Sequence, residues 1–117
     1  MIMENNINSE NIKSQMRKGF LEYCILSILR NRDAYASSII SVLKDAKMIV
    51  VEGTLYPLLT RQKNQGLLTY RWEESPQGPP RKYYSLTEKG KATLDEMDSS
   101  WNELCESIDI IKGLKIN

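Results

Sequence analysis

The chain has no histidine among its 117 residues. That absence removes the commonest general base and the commonest metal ligand, and with them every Ser-His or Cys-His pair. There are two cysteines, Cys24 and Cys105, far apart in the sequence. Two thiols cannot make a four-cysteine zinc site, and the mixed cysteine–histidine sites need a histidine. No metal site and no cofactor are expected. Neither G-x-x-x-x-G-K-[ST] nor G-x-G-x-x-G occurs, so no phosphate-cradling loop is present. Carboxylates are plentiful, but they fall on helical patterns where a solvated face accounts for them. The inventory therefore argues against an enzyme. No apolar run approaches the roughly 20 residues of a membrane span, and no basic region followed by an apolar stretch opens the chain. Isolated cysteines without a leader predict a reduced, cytoplasmic protein with no membrane partner.

Charge of either sign is not in excess: Lys plus Arg is 16, Asp plus Glu is 15. Hydrophobic residues at 41% and charged residues at 26% are ordinary for a globular protein, and the length fits one domain.

Residues 1–9 are polar and Asn-rich, which predicts a flexible start. A helical pattern runs from about Glu10 to Arg30. Ile12, Met16 and Phe20 recur at steps of four, and Leu21, Cys24, Ile25, Ile28 and Leu29 then widen the stripe. Asp33 is placed to cap a second helix that extends to about Lys47, with Ala36, Ile39, Ile40, Leu43 and Ala46 inside. Ile49-Val50-Val51 reads as a brief edge strand or an extended connection.

A third helix is expected from about Gly53 to Gln65, because Pro57 belongs near a helix start. Leu55, Leu58, Leu59 and Gln62 share one face. Thr54, Pro57, Arg61 and Asn64 share an outward face, with Tyr56 and Lys63 on its flank. Gly66 is a good stop. Two β-rich runs, 67–72 and 81–86, then flank the turn-rich Ser75-Pro76-Gln77-Gly78-Pro79-Pro80, which is a hairpin signal. Leu68, Tyr70 and Trp72 alternate onto one face, where Tyr84 and Leu86 can pack. Arg81 and Lys82 stand at the returning base. Thr87 caps a last helix in which Leu94, Met97, Trp101, Leu104, Ile108 and Ile111 form a heptad seam.

This order predicts a mainly α fold with a small β hairpin: a winged helix-turn-helix over residues 10–86, then a long C-terminal dimerisation helix over 87–117. In a helix-turn-helix the recognition helix enters the major groove. Thr54, Arg61 and Asn64 supply groups that read base edges, and Arg81 and Lys82 supply phosphate contacts. Charge is partitioned accordingly. Residues 52–91 carry seven Lys/Arg against four Asp/Glu, and residues 92–117 carry two against six. The six seam residues exceed what a small core can absorb, so a second copy of the chain is the expected partner. A rival reading is a winged-helix protein–protein interaction module without sequence-specific DNA binding, which the near-neutral net charge favours.

The strings Gly53-Thr54-Leu55-Tyr56-Pro57-Leu58-Leu59, Gln65-Gly66-Leu67-Leu68 and Gly78-Pro79-Pro80-Arg81-Lys82-Tyr83-Tyr84-Ser85-Leu86-Thr87-Glu88-Lys89-Gly90 closely resemble the PadR family of bacterial transcriptional regulators. The resemblance spans about Met16 to Leu114. It is strongest to the small subfamily with one helix after the wing, which includes multidrug-binding regulators. It implies a homodimeric repressor held by the first and last helices, binding a double-stranded DNA operator through the third helix and wing, and released by a small molecule. Tyr56 resembles the family's recognition-helix tyrosine. The DNA-contact set so implied is Thr54, Tyr56, Arg61, Lys63, Arg81 and Lys82. Trp101 resembles a tryptophan that lines a pore at the dimer centre and stacks on flat aromatic effectors. Met16, Phe20 and Met97 are the expected companions, with Tyr23 a further candidate. Trp101, Met16, Phe20 and Met97 equally suit plain packing between two copies, and both readings are open. The chain departs from the family pattern at Ala34-Tyr35-Ala36 and at Gln62-Lys63, so no operator sequence carries over. Cys24 reads as an inert buried thiol. Cys105 sits beside the seam, with no basic neighbour to activate it.

Overall fold

The computed structural model describes residues 9–113. The expected flexible start lies outside them, apart from Ser9, which already belongs to a helix. The single helix expected at the N-terminal end is two: α1, Ser9–Arg17, and α2, Leu21–Asn31. They meet at Lys18-Gly19-Phe20, where Phe20 N–H closes a turn on the Arg17 carbonyl at 2.8 Å. Glycine is about 1 kcal/mol poorer than alanine inside a helix, which favours a break at Gly19.

Asp33 does not cap the next helix. Ala34–Tyr35 instead forms a short strand, β1, and α3, Ala36–Asp45, starts behind Tyr35 without a side-chain cap. The Asp33 carboxylate accepts from Arg71 Nη1 at 3.2 Å. The Ile49–Val51 segment is an extended connection, not a strand. The edge it might have joined is filled by β1, whose Ala34 and Tyr35 stand opposite Tyr84 and Tyr83. Lys47 (φ 67°) ends α3 in the left-handed region, and Met48 N–H reaches back to the Leu43 carbonyl at 2.7 Å.

Helix α4 runs Glu52–Asn64, within one residue of expectation. Its first turn is tight: Thr54 and Leu55 both donate to the Val51 carbonyl, at 3.0 and 3.1 Å. Strands β2, Leu68–Ser75, and β3, Gly78–Leu86, form the hairpin, and the three strands are ordered β1-β3-β2, antiparallel throughout. Thr87 caps the 25-residue α5, Glu88–Lys112, accepting from Gly90 N–H at 2.9 Å, as expected. The same hydroxyl lies 2.6 Å from the Gly66 carbonyl oxygen, so one side chain joins the start of α5 to the end of α4. Gly90 is required there, since a Cβ would run into the Leu67 carbonyl oxygen.

The core gathers Leu21, Ile25, Leu26 and Leu29 of α2, Ile39 and Leu43 of α3, and Leu55 and Leu59 of α4, with Leu68, Tyr84 and Leu94. Leu94 corrects the sequence reading. It is fully buried within the single chain, so it belongs to the core and is not free to serve a dimer seam. Met97 also packs partly against this core. The uncovered stripe therefore begins at Trp101. Among the described residues no helix is long and apolar enough to cross a membrane, and no cluster of His, Cys, Asp and Glu is suited to a metal.

Candidate nucleic-acid interface

The α4 sequence sets two faces. Leu55, Leu59 and Gln62 are buried, which turns Thr54, Tyr56, Pro57, Arg61, Lys63 and Asn64 outward. The hairpin then outruns the core. Leu68 is buried and Tyr70 half-buried, but Trp72, expected to pack on the same face, is 61% exposed. The strand simply continues past the last core residue it can cover.

Between the starts of α3 and α4 and the hairpin lies a groove of about 400 Å³, lined by Tyr35, Glu52, Tyr56, Trp72, Arg81 and Lys82 among others. Arg81 and Lys82 are neighbours on one strand, so they leave it on opposite faces. Lys82, opposite Trp72, places its ammonium 4.5 Å from the Tyr70 ring centre and 5.7 Å from that of Trp72. Arg81, opposite Glu73, stacks 4.0 Å over the Tyr35 ring. Lys63 approaches Tyr70 from α4 at 5.8 Å. Cation–π contacts of this kind favour these positions by about 0.5–1 kcal/mol each at exposed sites. Thr54 and Tyr56 are exposed on the first two turns of α4, the end a recognition helix presents to base edges.

Arg61 stands apart from this groove. Its guanidinium donates through Nε and Nη2 to the two carboxylate oxygens of Glu22 on α2. The buried Gln62 beside it donates Nε2–H to the Glu22 carbonyl at 3.1 Å. The structure thus brings together Tyr56, Arg81 and Lys82, places Thr54 and Lys63 on the adjoining helix surface, and turns Arg61 toward α2. Trp72, Tyr35 and Glu22 were missed. The alternation of aromatic and cation in Tyr70-Arg71-Trp72 carried a signal for Trp72 alone. Nothing local signalled Glu22.

A second cavity, of about 590 Å³, opens between α1, α2, α5 and the α3–α4 connection. Met16, Phe20, Tyr23 and Trp101 line it together with Cys24 and Met48, with Lys13, Arg17 and Lys47 at its edge. Phe20 meets Trp101 edge to face at 5.0 Å. Met97 does not line this cavity. It lies in a separate hollow that shares Phe20, Tyr23 and Trp101, because its side chain leans on the core. Tyr23 donates to Asp98 at 2.6 Å, and Arg30 pairs with Asp98 at 2.8 Å and with Asp95 at 3.0 Å. The Tyr23 hydrogen bond, reinforced by Arg30, holds Asp98 below the usual carboxylate range. Burial pushes the Cys24 thiol up, so it stays protonated near neutrality.

Comparison with known proteins places this geometry in a family. Residues 25–96 match the model of the transcriptional regulator PadR-like family. A solved PadR-like transcription factor from Bacteroides fragilis is 63% identical, with a TM-score of 0.74 over 86% of this chain and 98% of that one. A PadR family regulator from Eggerthella lenta is 32% identical, with a TM-score of 0.84 over 91% and 93%. A PadR-like regulator from Bacillus cereus is 35% identical, with a TM-score of 0.75 over 87% and 100%. With its winged helix, its outward α4 face and a family match over more than half its length, the chain belongs to the PadR-like family of transcriptional regulators.

Proposed function

We propose that the protein is a homodimeric repressor that reads a palindromic DNA operator through α4 and the β2–β3 wing and is released by a small aromatic effector. The observation that carries the DNA reading is the groove in which Tyr56 of α4 meets Trp72, Arg81 and Lys82 of the wing. Thr54 and Tyr56 serve as base or backbone contacts, and Lys63, Arg81 and Lys82 neutralise phosphates.

The dimer reading is supported by α5. Trp101, Leu104, Ile108 and Ile111 stay exposed along it, joined by Ile12 and Met16 of α1. The radius of gyration is 17.4 Å, against roughly 13 Å for a compact chain of this length. A long helix that projects with an apolar stripe is the shape of half an interface. The effector reading is supported by the apolar cavity beside Trp101. An indole face suits flat aromatic ligands, and the three cations at the cavity edge favour an anionic one. Such a ligand regulates only if it binds one spacing of the two recognition helices better than another.

Selection of bound duplexes from a random library at near-physiological salt tests the proposal. Enrichment of two inverted half-sites about one helical turn apart is expected. The near-neutral net charge favours one rival, an interaction module that docks a protein instead of DNA. Failure to retain any duplex, with or without bound aromatic ligand removed, would leave that rival standing. A steep loss of binding with added salt would dismiss it.

A further inference from the structure

Glu22 is engaged twice by the same stretch of α4. Its carboxylate takes Arg61 Nε–H at 3.1 Å and Arg61 Nη2–H, and its carbonyl takes Gln62 Nε2–H at 3.1 Å. Gln62 is fully buried, and its Oε1 has no partner among the described residues, so its amide leans on Glu22. The Arg61 side chain is 58% exposed, that of Glu22 26%. A guanidinium whose Nε–Nη2 edge is closed on a carboxylate cannot offer that edge to the O6 and N7 of guanine. Arg61 also sits far from the reading end of its helix. It stands seven positions after Thr54, about 10 Å along the axis.

We propose that Glu22 is a positioning residue for DNA recognition: through Arg61 and Gln62 it pins the third turn of α4 to α2 and so sets the direction in which Thr54 and Tyr56 meet the duplex. Arg61 is then an internal pin and not a base reader. The next residue on α2 gives this pin a further reach. Tyr23 lines the cavity beside Trp101 and bonds to Asp98 of α5. One turn of α2 thus touches both the recognition helix and the cavity wall.

The inference rests on the DNA-binding reading, and the test separates the two. Binding of the selected duplex is followed by fluorescence anisotropy across a salt series, for wild type, Glu22→Gln, Arg61→Gln and the double variant. Concentrations are those of the binding-competent fraction, and melting curves are recorded alongside. Each single change should weaken binding by a similar factor, on the order of tenfold. The double variant should be no weaker than either, and the salt slope should stay that of wild type. Arg61→Lys keeps the charge but loses the paired geometry. It should weaken binding as the glutamine does, and it serves if the glutamine variants fold poorly.

Tighter binding by Glu22→Gln with a steeper salt slope would overturn the proposal, since it would make Arg61 a DNA contact held in check. A fall of about one in the slope for Arg61→Gln would do the same. Variants that melt earlier but bind unchanged, or Arg61→Lys equal to wild type, would reduce the pair to a structural tie. If wild type itself retains no duplex, the DNA reading falls and this inference with it.

Discussion

Asp98 shows how one carboxylate ties two helices. It accepts from the Tyr23 phenol at 2.6 Å and pairs with Arg30 at 2.8 Å, both on α2. The phenol bond first, and the guanidinium second, depress its pKa. A depressed carboxylate stabilises the fold above its unfolded pKa of about 3.9, and that contribution is lost as pH falls through the folded value. Asp98→Asn should therefore melt below wild type near neutrality, with the gap closing below about pH 4. Melting curves over that range check it, and a gap that stays constant to low pH would show that the charge is not what α2 and α5 share. At this scale the sequence was readable wherever the partner is close by. Thr87 caps α5 because the amide it needs is three residues on. Asp33 failed as a cap because β1 pairs with β3, some fifty residues later, and draws the chain into a strand first.

At the scale of elements, periodicity found α3, α4, the hairpin and α5, because each repeats its apolar residues against one core. It missed the break between α1 and α2, since the stripe of Ile12, Met16 and Phe20 runs on in register into α2 while the backbone turns at Gly19. Arg81 and Lys82, both expected at the returning base of the wing, are adjacent on β3 and diverge from it. Lys82 joins the Tyr70 and Trp72 rings on one face, and Arg81 joins Tyr35 on the other. Arg81→Ala should weaken duplex binding evenly across sequences and lower the salt slope by about one. A salt titration of the variant reads this directly, and an unchanged slope would take Arg81 out of the phosphate contacts.

At the scale of the whole molecule, the seam read from the sequence divides. Leu94 and much of Met97 serve the chain's own core, while Trp101, Leu104, Ile108 and Ile111 are left uncovered. A heptad pattern cannot tell which of its turns face the chain's own core and which project beyond it. Ile108 lies far out on α5, 50% exposed and remote from the core cluster. Ile108→Glu should leave the fold intact and convert a two-copy species to one copy, with a matching loss of affinity for a palindromic duplex. Light scattering on the eluting protein measures it. A variant that keeps the wild-type mass would move the interface elsewhere. The apolar cavity was the least readable feature, because Lys47 and Met48 reach it from a connection that carries no periodicity at all.

The close approach at Gly90 gives α5 the character of a lever. Its first turn bears against the Leu67 carbonyl, and Thr87 fastens it to the end of α4, so the root of the lever is held close to α4 and the wing. Leu94 in the core and the bonds of Asp98 to α2 hold the first half of α5, so the free arm is residues 99–112, about 21 Å long, and a tilt of ~5° carries its far end through ~2 Å. The same gearing runs in reverse. Clamping the far ends of two such arms together would fix the angle at each fulcrum closely, and a small wedge between the arms would be felt as a change of aim at the wing.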